Sequence, residues 1–404
     1  MTKPNNREKI TELEGLRGIL AWWVIASHLL VLSGIAGDAL PRPLRILLRG
    51  DLPVDVFVIL SGFVIFMLLD KGRDTYATFI TRRFFRLFPT YLVCLSAMIP
   101  ISFFTVKALV GLPWAADPII TWIAEDWRNT QAHLWQHIAV HLTMLHGLLP
   151  REVLPDSPAA ILGPAWSISL EWQFYLVAPL LLLFVRRSVA GLCAIGALVV
   201  VAELAAPSFG NMFEKGRFVT YSLPGFLPLK AIYFFIGASS FYAYKHVPER
   251  FEKNELARLV AALIVVAGAL TRSVAVVLWL LVLGAHLLRS MGYQGGIVSS
   301  VTGFLNSRLA QRMGRISYSS YLCHVPVLYS VLLLMVAVKP AWNQWHFLAI
   351  LTLASAPLVL IVSQLLFSLV EKPFIDAAKT WTARWPKERE LGTAVLDSGK
   401  VELS

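Results

Sequence analysis

Leu52-Pro-Val-Asp-Val-Phe-Val-Ile-Leu-Ser-Gly-Phe-Val-Ile-Phe-Met-Leu-Leu69 decides the fold. The run is eighteen residues long and carries one charge, Asp55. A hydrocarbon core of about 30 Å takes about 20 apolar residues in a helix, with about 17 as the lower limit. The segment therefore reads as a membrane-crossing helix. Nine more runs of this kind lie outward from it, at 18–34, 87–106, 169–185, 188–206, 228–244, 256–272, 274–289, 315–336 and 347–370. The pair at 256–289 is split only by Thr271, Arg272 and Ser273, and reads as a hairpin or as one broken element. The expectation is an all-α polytopic membrane protein of about ten helices.

Composition agrees. Of the 404 residues 57% are hydrophobic and 15% charged, against about 25% charged in soluble chains. Mean hydropathy is +0.65. This excludes a string of soluble domains, and the apolar excess excludes disorder. Cys94, Cys193 and Cys323 each sit in an apolar run and read as free buried thiols, not a disulfide framework. No signal peptide, internal repeat or low-complexity linker is evident. The net charge of +11 fits basic cytoplasmic loops and not a nucleic-acid partner.

Ten spans put both termini on one side. With the N-terminus inside, inner segments carry 25 of the 36 Lys and Arg, so the reading is N-in and C-in in a bacterial-type inner membrane. Residues 1–377 then form the membrane domain and 378–404 a cytoplasmic tail. The long outer segment, 107–168, holds Trp114, Trp122, Trp127, Trp135 and Trp166. Indoles favour the headgroup level, so a helix over about 118–148 lying partly in the outer interface is expected. Pro150, Pro155, Pro158 and Pro164 should end it in an irregular lid.

Polar groups inside a span are costly and mark candidate chemistry. Arg17 and His28 stand eleven positions apart. At about 100° and 1.5 Å per residue they share one helix face, about 16 Å apart along the axis. Arg17 is expected at the inner mouth and His28 near mid-membrane. A cation at the entrance suits an anionic, phosphorylated donor. An imidazole at depth suits general-base or acyl-carrying work. The ordinary alternative is a snorkelling arginine and a histidine bonded to a carbonyl. Arg82, Arg83 and Arg86 precede the third span; they read as an inner-leaflet anchor or, with Arg17, as a phosphate pocket. Arg82 and Arg86, at i and i+4, share a face. Gly62, beside Ser61, permits close approach of a helix or a ligand. Glu171 is expected in the first, outer turn of the fourth span, capped by Ser167 or Ser169, or else acting on an acceptor hydroxyl. His133, His137 and His141 recur at i, i+4 and i+8, near His146; lacking an acidic or cysteine partner, they read as an interfacial face and not as a metal site. His324, after Tyr318 and Tyr321, lines a cavity or packs. Glu203 is a lone acid. There is no GxSxG elbow, Walker A loop or Rossmann glycine pattern.

Six motifs in order resemble the acyltransferase-3 family of integral membrane acyltransferases, over about residues 10–374. They are Leu13-Glu-Gly-Leu-Arg17-Gly with His28, Val54-Asp-Val-Phe-Val-Ile-Leu-Ser-Gly-Phe63, Arg82-Arg-Phe-Phe-Arg86-Leu-Phe-Pro89, Trp166-Ser-Ile-Ser-Leu-Glu171-Trp-Gln-Phe-Tyr175, Ile316-Ser-Tyr-Ser-Ser-Tyr-Leu-Cys-His324 and Glu371-Lys-Pro-Phe374. Glu14 and Cys323 depart from the usual Asp and aromatic residue. With about 30 residues after the last span, the resemblance is to members without a C-terminal hydrolase-like domain.

The resemblance implies transfer of an acyl group, usually acetyl, from acyl-CoA to a hydroxyl of a surface polysaccharide, lipopolysaccharide or related glycan. It implies His28 as the catalytic residue and Arg17, Arg82, Arg83 and Arg86 in the donor pocket. Glu171 is expected to assist catalysis, with Asp55, Ser61, Gly62, Trp166, Tyr318 and His324 in cavity or supporting places. Acyl-CoA acts as co-substrate, and no metal and no permanently bound cofactor are expected. A transporter or flippase of a lipid-linked sugar is the rival reading, since ten spans with midplane polar residues suit it too.

Overall fold

The computed structural model describes residues 10–35, 37–70, 74–187, 189–246, 252, 255–256, 258–260, 262–264, 273–338 and 343–385. The expected span at 256–272 and the tail at 378–404 lie largely outside them. Five helical stretches among the described residues are long and apolar enough to cross a membrane. They are Thr11–Leu32 (α1), Asp51–Asp70 (α2), Tyr76–Val110 (α3), Ser317–Val338 and Gln344–Thr382. Between α3 and Ser317 come Pro118–Ala132 (α4), Leu134–Leu142 (α5), Trp166–Arg187 (α6), Val189–Ala205 (α7), Ala231–His246 (α8), Val274–Ser290 (α9), Gly296–Leu305 (α10) and Arg308–Arg315 (α11). Ser317–Val338 is α12, and the last stretch divides into Gln344–Leu366 (α13), a π turn at Phe367–Glu371 and Lys372–Thr382 (α14).

Local signals set several boundaries. Thr75 caps α3, its hydroxyl accepting from the Thr78 amide. Asp117 caps α4, with Pro118 at the first helical position. Asn343 caps α13. The third span was expected at 87–106; α3 instead runs 35 residues, through Pro89 and Pro100. The arginine cluster therefore lies inside this helix and not on a loop before it. α1 likewise starts earlier than expected, which puts Arg17 in its second turn.

Small residues bring helices together where lipid offers no hydrophobic push. On α2, a Cβ at Gly62 would lie 2.3 Å from the Phe234 carbonyl oxygen; on α8, one at Gly237 would lie 1.9 Å from that of Ile59. The two helices thus meet backbone to backbone. Gly18 of α1 and Gly314 of α11 make a second clasp of this kind. Gly62 serves packing, the first of the two uses its position allowed.

The 107–168 segment, expected on the outer side, differs from the sequence reading. The expected 118–148 helix breaks at His133, whose φ of −123° is not helical, and stops at Met144, whose φ is +57°. His137, His141 and His146 are fully buried and not interfacial. His141 and His146 stack at 3.9 Å, and His146 also stacks on Tyr91 of α3 at 6.3 Å. Burial pulls the His137 pKa down to about 4 and that of His146 to about 3. Of the five indoles, Trp114, Trp127 and Trp166 are buried in protein, while Trp135 is exposed. Trp114 donates to the Leu32 carbonyl at 3.0 Å, so it closes the end of α1. Cys193 also departs from expectation: it faces outward on α7, whereas Cys94 and Cys323 are buried. Glu203 is exposed.

Candidate active site

A cavity of about 80 Å³ lies between α1, α2, α3, α6, α8 and α12 and opens to the surface. Each helix contributes through residues on one face. α1 supplies Arg17; α2 supplies Val54, Phe57 and Ser61, at helical intervals; α3 supplies Arg83 and Arg86; α6 supplies Ser167, Glu171 and Tyr175; α12 supplies Ser317, Tyr318 and Tyr321.

Three guanidinium groups converge here in a largely apolar wall. The Nε atoms of Arg17 and Arg83 are buried without a hydrogen-bond partner. An unpaired buried donor costs about 1–3 kcal/mol, more when charged, so an acceptor placed beside these atoms would be held strongly. The Arg83 guanidinium lies 5.9 Å from both the Phe79 and the Tyr175 ring centroids. Arg86 lies 3.7 Å from Glu371, a 2% exposed carboxylate that also accepts from Ser319 Oγ at 2.7 Å. Glu171 accepts from Ser61 Oγ at 3.1 Å and from the Tyr175 hydroxyl. Tyr318 donates to the Leu87 carbonyl at 2.6 Å, tying α12 to α3 beside Arg86.

This geometry rearranges the expected roles. Arg82 does not join the pocket: it pairs with Asp74 at 2.7 Å and donates to Thr382 at 2.8 Å. The cavity takes Arg83 and Arg86, one turn apart, in place of the expected Arg82 and Arg86 face. Glu171 does not sit in a separate outer site; it shares the cavity with the arginines. Neither serine caps α6, because that helix begins at Trp166. Ser167 Oγ hydrogen-bonds Tyr321, and Ser169 Oγ accepts from the Gly147 amide at 2.9 Å. Asp55 turns from the cavity to Lys230, 2.6 Å away. Trp166 is a packed residue at the start of α6.

His28 also stands outside this cavity. Its Nδ1 bonds the Val24 carbonyl at 2.9 Å. A carbonyl only accepts, so Nδ1 carries the proton and Nε2 of the neutral ring keeps its lone pair, the arrangement of a base or nucleophile. His324 packs edge-on against it with ring centroids 4.9 Å apart. His324 is fully buried, and neither of its nitrogens has a hydrogen-bond partner. Tyr321, which lines the arginine cavity, lies 6.0 Å from His324.

Sequence reasoning passed over Tyr175, Glu371, Phe57 and Tyr321 as site residues. Tyr175 was legible, since i, i+4 spacing puts it on the face of Glu171. Glu371 was an acid at the end of an apolar run. Among the described residues, no group of three or more His, Cys, Asp or Glu is placed to hold a metal.

The family described as "Acyltransferase domain", acyltransferase-3, matches residues 10–364. The chain belongs to this family of membrane proteins. It is 27% identical over 230 residues to the acyltransferase MdmB of Streptomyces mycarofaciens. That match covers 56% of this chain and 52% of the relative, so the chain spans about half the length of the curated protein it resembles. No solved structure matches.

Proposed function

We propose that this protein is an inner-membrane O-acyltransferase that moves an acyl group, in the first instance acetyl, from cytoplasmic acyl-CoA to a sugar hydroxyl of a cell-surface glycan. Ten spans with both termini inside set the two faces of this reading. The observation that carries it is the convergence of Arg17, Arg83 and Arg86 on one cavity, with two buried Nε donors unsatisfied. Phosphate oxygens satisfy such donors by charge-assisted bonds. Membership of an acyltransferase family and the named acyltransferase relative point the same way.

In this mechanism the arginines hold the phosphate end of the donor, and its thioester reaches the histidine pair. His28 Nε2 takes the proton of the acceptor hydroxyl as the oxygen attacks the thioester carbon. The C–S bond breaks, the C–O bond forms, and the proton passes to the departing thiolate. An acyl-histidine route moves the same atoms in two steps. Glu171, tied to Ser61 and Tyr175, offsets the cluster of positive charge and orients these neighbours.

Inner-membrane vesicles given labelled acetyl-CoA test the reading. Label should enter glycan with the native chain and vanish with His28→Ala at equal expression. Retained transfer removes His28 from the reaction, and movement of a lipid-linked sugar without acylation favours the flippase.

A further inference from the structure

The arginine cavity is lined in part by two aromatic rings, Phe57 and Tyr321, whose centroids are 6.0 Å apart at 64°. Tyr321 packs 6.0 Å from His324, and His324 packs 4.9 Å from His28, so ring contacts run from the cavity lining to the histidine pair. We propose that Phe57 and Tyr321, in edge-to-face contact, form a gate between donor cavity and histidines, and that the bulk of the Phe57 ring limits the length of the acyl chain transferred. This rests on the acyl-CoA reading above and adds to it a determinant of specificity.

The two rings are held differently. Tyr321 is a fixed jamb: its hydroxyl donates to the Pro164 carbonyl at 3.0 Å and meets Ser167 Oγ at 2.8 Å. Both partners belong to the tight turn that opens α6. Phe57 has no polar tether and is only partly buried. Its helix is clasped to α8 through Gly62 and Gly237, so the ring moves by rotation and not with its backbone. A thioester passing from the arginines to the histidine pair displaces Phe57 on its way. Val54, one turn before Phe57, bounds the same space. A pocket this confined rejects added methylenes, each by about 10-fold or more. The gate therefore selects acetyl over longer chains.

The experiment is a competition between labelled acetyl-CoA and labelled hexanoyl-CoA in membrane vesicles, scored as the ratio of chains incorporated into endogenous glycan. Phe57→Ala should raise the hexanoyl-to-acetyl ratio by about 10-fold or more. Tyr321→Phe keeps the ring and frees it from Pro164, and should move the ratio the same way by less. A residue that only supports the fold lowers both donors together and leaves the ratio where it was. If Phe57→Ala does not accumulate, Phe57→Leu carries the same reading. An unmoved ratio in a variant that still transfers acetyl overturns the gate and leaves the donor reading standing. If the native chain uses neither donor, the donor reading fails and the gate fails with it.

Discussion

Asp55→Ala should destabilise the protein by about 3 kcal/mol, and adding Lys230→Met should restore most of it. Asp55 sits in the second turn of α2 and Lys230 at the end of the 3-10 turn before α8, 2.6 Å apart. The Asp55 side chain is 5% exposed and that of Lys230 15%. The ammonium also lies 5.1 Å from the Tyr233 ring centroid. Removing one partner of a buried pair leaves the other charge uncompensated and costs about 3–5 kcal/mol. The residual exposure of Lys230 places the loss at the lower end. Replacing both partners with apolar groups removes the stranded charge, and such exchanges are often neutral. Reversible unfolding of the wild type, both single variants and the double variant in bicelles gives the coupling energy directly. Two small single effects, or a double variant as unstable as the sum of the singles, would refute the argument that this pair locks α2 to α8.

The remaining expectations use the same contacts. Arg83→Gln should raise the apparent KM for acetyl-CoA about 10-fold or more, since it removes charge-assisted bonds of about 1.5–3 kcal/mol. Arg82→Gln, engaged with Asp74 and Thr382, should stay within about 2-fold of the native value; steady-state kinetics separate the two. Gly237→Ala should lower thermal stability, because its Cβ would meet the Ile59 carbonyl oxygen at 1.9 Å, while Gly303→Ala, with open space around it, should match or exceed the wild type. Acid should loosen the segment over residues 134–165. His137 and His146 have pKa values lowered from 6.5 to about 4 and about 3, so the unfolded segment binds protons first. Their contribution is whole above pH 6.5, declines as pH falls toward 3, and is flat below that. Amide exchange over 134–165, corrected for intrinsic rate, should quicken between pH 7.5 and pH 5, and His146→Phe should flatten that response.

Much of this was legible because α-helices obey a simple period. Arg17 and Ser61 stood out as polar groups in apolar runs, and both line the cavity, whereas His28, placed on the face of Arg17 by counting, lies outside it. The failures came where a contact joins distant parts of the chain. No local rule distinguishes Arg82 from Arg83; the choice is made by Thr382, 300 positions away, and by Asp74. Glu171 read as an outer residue because spacing gives position along a helix and not what the neighbouring helices bring beside it. The histidine row looked amphipathic for the same reason. Its polar face meets protein: Tyr91 of α3 takes the place expected of the interface.

The glycine clasp between α2 and α8 also assigns a timescale. With both backbones in contact, neither helix slides without shearing the other, and the wall they build is rigid. Admission past Phe57 is then a rotamer flip and not a domain motion. Side-chain flips belong to the picosecond-to-nanosecond range when unhindered, whereas helix shifts take microseconds to milliseconds. Turnover should therefore depend little on bilayer thickness, which acts on helices, and strongly on the bulk of the one side chain that turns.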